Sequence, residues 1–240
     1  MIVLAPEGGA GPDALLELPP DEVHHLRVRR AEPGEHLELR DGLGLVGEAI
    51  LLESTAKHAL VRVVAARIDP PPPPLALLVA AGDRDRFGWL VEKAAELGVT
   101  RIVPVETARS SSVATRVGAA HVARLRRRAL EATKQSGAAW APVLDLPIPL
   151  PAAAELAAGA VRWLTDPAGE WPATGEPMPA AVMVGPEGGF TEQERDLVRG
   201  AGWTPRRLGD NVLRFETAAL AAAAWIGMVR GGQVHEHTDA

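Results

Sequence analysis

Up to about residue 69, apolar positions recur in short alternating runs. In His36-Leu37-Glu38-Leu39-Arg40 the two leucines fall on one side of an extended segment, and Asp41-Gly42 then supplies turn chemistry. Extended spacing resumes from Leu43 to Leu52, and Leu60 to Val64 is a further strand. Period-two segments broken by turns predict a small β-barrel or sandwich. Asp69 is followed by five prolines, Pro70 to Pro74, a run that favours stiff polyproline II. The texture changes across it, so the sequence divides into a first domain at 1–69, a proline linker at 70–74 and a second domain at 75–240.

Beyond the linker, solid apolar runs alternate with helical spacing. Leu75 to Ala81 reads as a buried strand, and Phe87, Leu90, Val91, Ala94 and Ala95 follow at helical intervals, with Gly98 placed as a C-cap. Ile102 to Val105 is the next strand, before a basic helix from about Val117 to Gln135. Val161 to Thr165, Ala181 to Val184 and Arg206 to Leu208 are later strands, with helices near Thr191 to Arg199 and Thr217 to Val229. Strand and helix in alternation predict an α/β domain with a mostly parallel sheet.

Composition narrows the chemistry. Across 240 residues there is no cysteine, which excludes disulfides, thiolate metal sites, iron–sulfur clusters and a thiol nucleophile together; such usage suits a reducing, cytoplasmic location. No apolar stretch approaches the roughly 20 residues that span a bilayer, and no membrane partner is expected. The histidines lack metal spacing, so no metal is expected either. Net charge is −6, unevenly spread: residues 1–66 carry 6 basic against 11 acidic side chains, and the remainder 19 against 20. An acidic chain does not hold nucleic acid by bulk attraction. Against that background the cluster His24-His25-Leu26-Arg27-Val28-Arg29-Arg30 stands out; extended alternation would send Arg27 and Arg29 to one face, suited to phosphates. A second group, Arg124, Arg126, Arg127 and Arg128, lies on the basic helix and is spread around it.

In open α/β sheets, ligands bind beyond the carboxyl ends of the strands. Three such ends carry candidate chemistry: Leu164-Thr165-Asp166-Pro167; Gly185-Pro186-Glu187-Gly188-Gly189-Phe190; and Leu208-Gly209-Asp210-Asn211-Val212-Leu213-Arg214-Phe215-Glu216-Thr217. The glycine loop leads into Thr191-x-x-Glu194, a capping box. It is neither G-x-G-x-x-G nor a P-loop and has no lysine for phosphates, so it is a tight turn that binds nothing, or a site for a neutral or cationic ligand. Arg214 and Glu216, just before a helix, are a surface ion pair with a helix-opening carboxylate, or a catalytic pair. No G-x-S-x-G elbow is present.

Three segments together resemble the RsmE-type 16S rRNA (uracil-N3) methyltransferases of the SPOUT superfamily: Glu92-Lys93-Ala94-Ala95-Glu96-Leu97-Gly98-Val99, Gly185 to Phe190 with Glu194, and Leu208-Gly209 through Val212-Leu213-Arg214 and Glu216-Thr217-Ala218. The resemblance spans nearly the whole chain. It implies a PUA-like β-barrel followed by a SPOUT α/β domain with a C-terminal trefoil knot, and a homodimer with its active site near the subunit interface. It implies S-adenosylmethionine as methyl donor, held by Leu164, Thr165, Val184, Gly185, Pro186, Glu187, Gly188, Gly189, Leu208, Gly209, Asn211, Val212 and Leu213. The implied partner is 16S rRNA or the small ribosomal subunit, methylated at N3 of uracil-1498. Arg214 is then the cation opposite developing charge, and Glu216 the proton acceptor, a helix cap or the holder of Arg214.

The chain departs from the family pattern in two places. Similar enzymes read Glu-Gln-Ser-Gly-Arg where this chain has Lys134-Gln135-Ser136-Gly137-Ala138, and the usual early arginine is missing from Met1-Ile2-Val3-Leu4. RNA contacts of the first domain are therefore assigned to Arg27, Arg29 and Arg30. The alternatives are a SPOUT methyltransferase acting on tRNA or another rRNA base, a catalytically silent RNA-binding protein of the same fold, and an α/β enzyme using a nucleotide cofactor.

Overall fold

The computed structural model describes residues 1–6, 11–80, 83–110, 119–173 and 177–236. The chain forms two compact units: Met1–Pro72 with Leu130–Ala141, and Pro73–Ala129 with Pro142–Ala240.

The first unit is a five-stranded sheet. Its strands are β1 (Ile2–Leu4), β2 (Leu15–Glu17), β3 (His36–Arg40), β4 (Leu45–Ser54) and β5 (Ala59–Ile68), in the order β1-β3-β4-β5-β2. β1 runs parallel to β3 and the other pairs are antiparallel. Alternation along β3 and β4 buries Leu37, Leu39, Leu45, Ala49 and Leu51 on one face, where Val61 and Val63 of β5 join them. Burying one face of a sheet specifies register, because a one-residue slip would turn every leucine to water.

Helix α1 (Pro20–Arg29) covers this core with Val23 and Leu26. Here the extended reading of His24 to Arg30 is wrong. Pro20 stands at the first helical position, Asp21 and Glu22 lie in the first turn, and Arg30 closes the helix in the left-handed conformation at φ 59. In a helix, residues two apart point about 200° from each other, so Arg27 and Arg29 do not share a face. Both are exposed, as is Arg30, and the Arg27 guanidinium contacts the His24 imidazole at 3.1 Å.

The segment Leu130–Ala141 belongs to the first unit through a turn that glycine makes possible. Asp41 Oδ1 accepts from the Leu43 and Leu45 amides at 2.7 and 3.0 Å. This shapes a loop whose Gly44 (φ +108) lies against the Trp140 ring, 2.7 Å from where a Cβ would stand. The Ala141 amide donates to the Gly42 carbonyl at 2.8 Å and the Gly44 amide to that of Ala139 at 2.9 Å. Trp140 Nε1 donates to the Asp69 carbonyl at 3.1 Å.

The second unit is an all-parallel sheet of β6 (Ala76–Val79), β7 (Arg101–Glu106), β8 (Val143–Leu144), β9 (Ile148–Pro149), β10 (Arg162–Glu170), β11 (Ala181–Val184) and β12 (Thr204–Arg206). The order is β12-β10-β11-β6-β7-β8, with β9 also on β7. Its helices are α2 (Arg84–Glu96), α3 (Ala119–Ser136, whose last turns lie in the first unit), α4 (Leu150–Ala154), α5 (Glu192–Gly200) and α6 (Phe215–Glu236). Residues 111–118, including the expected start of the basic helix, lie outside the described residues, as does the expected strand end at Ala81.

The solid apolar runs are explained by burial on both faces of the sheet. On one face Leu78, Val103, Leu164, Met183, Val198 and Trp203 form a core; on the other Trp163 meets Trp225 of α6 with ring centroids 5.1 Å apart. The expected strand at Val161 to Thr165 continues to Glu170 because Glu170 pairs with Arg206 of β12. The expected strand at Arg206 to Leu208 lies earlier, at Thr204–Arg206. Among the described residues no helix is long and apolar enough to cross a membrane, and no group of three or more acidic or histidine side chains could hold a metal ion.

Candidate active site

Three strand ends converge on one cleft at the carboxyl edge of the sheet. β10 contributes Leu164 and Thr165, β11 contributes Val184, and the loop after it contributes Gly185, Pro186, Glu187 and Gly189. The segment after β12 adds Leu208, Gly209, Asn211, Val212 and Leu213. The cleft is open to solvent at its mouth. Of the thirteen residues assigned to the donor, only Gly188 is not in the wall; its carbonyl accepts from Arg109 Nη1.

The glycine loop owes its shape to three neighbours. Gly189 adopts φ +66, which glycine takes without strain. A Cβ on Gly185 would stand 3.0 Å from the Phe190 ring, so the backbone and that aromatic close on each other. The capping box is present: Thr191 accepts from the Glu194 amide at 3.2 Å, and Glu194 Oε2 accepts from the Thr191 amide at 2.8 Å. The second Glu194 oxygen accepts from the Ala108 amide at 2.7 Å, tying the segment after β7 to the same loop.

Sequence reasoning assigned no role to Asp166, Pro167, Phe190, Arg195, Arg206, Phe215 and Ala218, yet all line the cleft. Asp166 and Pro167 lie in the continuation of β10 beyond the expected end at Thr165. Arg206 and Ala218 come from β12 and α6, which sheet order and helix packing bring in. Asp166 Oδ2 accepts from Arg199 Nη2 at 3.0 Å. The Glu192 carboxylate, 3.0 Å from Arg195, raises that guanidinium's pKa further.

Arg214 and Glu216, read as a pair from the sequence, lie in different surroundings. Arg214 precedes α6 and is exposed, whereas Glu216 lies inside the first turn and is buried, 7% exposed. Extended spacing ends where the helix begins. Neither residue is in the cleft wall. Glu216 Oε1 lies 4.0 Å from Arg86 Nε, and Oε2 is buried without a hydrogen-bond partner.

The Glu92-Lys93 motif is remote from this chemistry. Glu92 binds Arg128 of α3 at 2.8 Å, and Lys93 binds Glu96 at 2.7 Å. Hydrogen bonds from Lys93 and Arg128 hold the Glu92 carboxyl below its usual pKa. Of the arginine group on α3, Arg126 donates to the Leu144 carbonyl at 2.7 Å. These charges join helices and strand ends.

A cleft with apolar walls (Leu164, Val184, Phe190, Leu208, Leu213), two carboxylates (Asp166, Glu187) and two guanidiniums (Arg195, Arg206) accepts an aromatic ring together with charged groups. The RNA methyltransferase domain model matches residues 69–227, and the RNA methyltransferase PUA domain model residues 18–64. The ribosomal RNA small subunit methyltransferase E of Mycobacterium bovis is 34% identical over 219 residues, covering 86% of this chain and 83% of the relative. Among solved structures, the enzyme of that name from Neisseria gonorrhoeae, bound to S-adenosylmethionine, has a TM-score of 0.84 at 30% identity, covering 95% of this chain and 97% of the other. A Legionella pneumophila methyltransferase with the same cofactor has a TM-score of 0.85 at 30% identity, covering 95% and 96%. The chain belongs to the ribosomal RNA small subunit methyltransferase E family.

Proposed function

We propose that this protein binds S-adenosylmethionine in the cleft and methylates N3 of a uridine of small-subunit 16S rRNA, uracil-1498. One observation carries the reading: donor residues assigned from three distant segments line a single cleft whose walls are largely apolar, with Asp166, Glu187, Arg195 and Arg206 as its charged groups. Glu187 and Asp166 would face the donor's positive end, and the apolar walls its ring. When bound, the donor supplies an activated methyl group on a sulfonium.

The chain's own residues address the other half of the problem. Uracil N3 carries a proton and is a poor nucleophile until that proton leaves. Glu216 is assigned as the acceptor: its Oε2 has no hydrogen-bond partner and is buried outside the cleft wall, so binding of RNA must open a path to it. Arg214, exposed at the foot of α6, is assigned to the charge that develops on the uracil carbonyl oxygens as N3 is deprotonated. Because N3 is hidden in base pairing, the target nucleotide is unpaired or flipped out. Arg27, Arg29 and Arg30 are assigned to RNA phosphates. The trefoil knot, the homodimer and a cytoplasmic location are part of the same proposal.

Calorimetry with S-adenosylmethionine, then methyl transfer to small subunits, naked 16S rRNA and tRNA, tests it. We expect donor binding and transfer to the small subunit or its RNA, at one uridine mapped by mass spectrometry. Donor binding without transfer to any RNA would overturn the reading. Arg214→Ala is expected to reduce turnover far more than donor affinity, whereas equal losses would move Arg214 to the donor site.

A further inference from the structure

Arg86 is a cation where helix electrostatics disfavours one. Asp83 caps α2, its Oδ1 accepting from the Asp85 and Arg86 amides at 3.0 and 2.8 Å, which places Arg86 in the first turn. The positive end of a helix repels a guanidinium. The compensation is two carboxylates from other elements. Nη1 lies 3.6 Å from Glu187 Oε1, in the glycine loop, and Nε lies 4.0 Å from Glu216 Oε1, in the first turn of α6. Glu187 lines the cleft; Arg86 and Glu216 do not. One guanidinium therefore stands within ion-pair distance of both the donor loop's Glu187 and the carboxylate assigned to N3.

We propose that Arg86 is a positioning residue for methyl transfer, holding Glu216 and the glycine loop in a common geometry. The proposal rests on the reading that the cleft binds the donor and that Glu216 accepts the proton. Arg109 is the natural comparison: it too holds the glycine loop, through the Gly188 carbonyl, and its hydrogen bond there does not involve Glu216.

The test is a double-mutant cycle of R86A and E216Q in the full chain, with R86K and R109A alongside. Donor affinity is measured by calorimetry, turnover and KM on small subunits, and folding by thermal melting. R86A is expected to lower turnover by about 10- to 100-fold, as a misplaced catalytic group does. Donor affinity should fall by no more than about fivefold, the scale of a half-exposed ion pair. R86K should restore most of the turnover, R109A should weaken donor binding more than turnover, and R86A should add nothing in the E216Q background. Additive losses in the double variant overturn the proposal while leaving Glu216 as acceptor. Wild-type turnover in E216Q removes the acceptor reading and the action of Arg86 through it together. If R86A fails to fold, R86Q takes its place in the cycle: a loss of turnover that does not add to that of E216Q supports the proposal, and additive losses overturn it.

Discussion

His121 shows how one side chain can set a pH limit on this fold. Its Nδ1 accepts from Arg84 Nε and Nη2 at 3.1 and 2.9 Å, so the proton of the neutral ring is on Nε2, which is buried without a partner. Burial, then the charges of Arg84 and Arg124, hold the imidazole below its ordinary value, with Asp85 opposing. The unfolded ring takes up a proton near pH 6.5, the folded ring only at lower pH. The unfolded state then binds more protons, so the stability His121 contributes is full above about pH 6.5 and is lost as pH falls toward the folded value. We expect the melting temperature to fall between about pH 7.5 and 5.5, and to fall less in H121Q, whose amide oxygen can still accept from Arg84. Equal slopes would refute the assignment. Little of this was legible in the residue order. His121 lies 37 positions from Arg84, and only the packing of α2 on α3 makes the imidazole an acceptor.

At the scale of elements, the departure at Lys134 acquires a physical meaning. Lys134 is 2% exposed and its Nζ lies 2.6 Å from Glu22 Oε1 of α1 and 3.0 Å from Glu131 Oε2. Burial works to lower the ammonium's pKa, but the hydrogen bonds from Glu22 and Glu131 outweigh it and the net direction is upward. The family's glutamate at this position would face Glu22 with a like charge, so lysine here is matched to its partner inside the first unit. Removing one member of a buried pair strands the other, which costs about 3 kcal/mol or more, whereas apolar replacement of both is close to neutral. Denaturant melts of E22L, K134M and the double variant check this. K134M, which strands Glu22, should lower stability strongly; E22L, which leaves Lys134 with Glu131, should lower it less; and the double variant should recover most of the K134M loss. The same helix explains an omission in the sequence reading. Periodicity located the basic helix closely, but hydrophobic spacing cannot report that its last turns belong with the Asp41–Gly44 turn of the first unit.

At the scale of the whole molecule, charge bounds how RNA is held. With a net charge of −6 and the acidic excess within residues 1–66, phosphate contacts must come from local arginines. Replacing Arg27, Arg29 and Arg30 with alanine should weaken RNA binding and flatten its salt dependence by about 0.7–0.9 in log–log slope for each phosphate no longer neutralised. Donor affinity should stay at the wild-type value, and an unchanged slope would show that α1 does not touch the backbone. Residue order alone determined what local chemistry decides: strands of period two and solid apolar runs, the C-cap glycine at Gly98, the capping box at Thr191 and Glu194, and the three segments that carry the candidate chemistry. It also carried the family resemblance, because those segments keep their order and spacing. Tertiary structure decided what depends on residues distant in sequence. It buried Glu216 beside Arg86 while leaving Arg214 in water, drew Arg206 and Ala218 into the cleft wall, and paired Lys134 with Glu22. A side chain's exposure and counter-charge are set by whichever element packs across from it, and nothing in a one-dimensional pattern names that element.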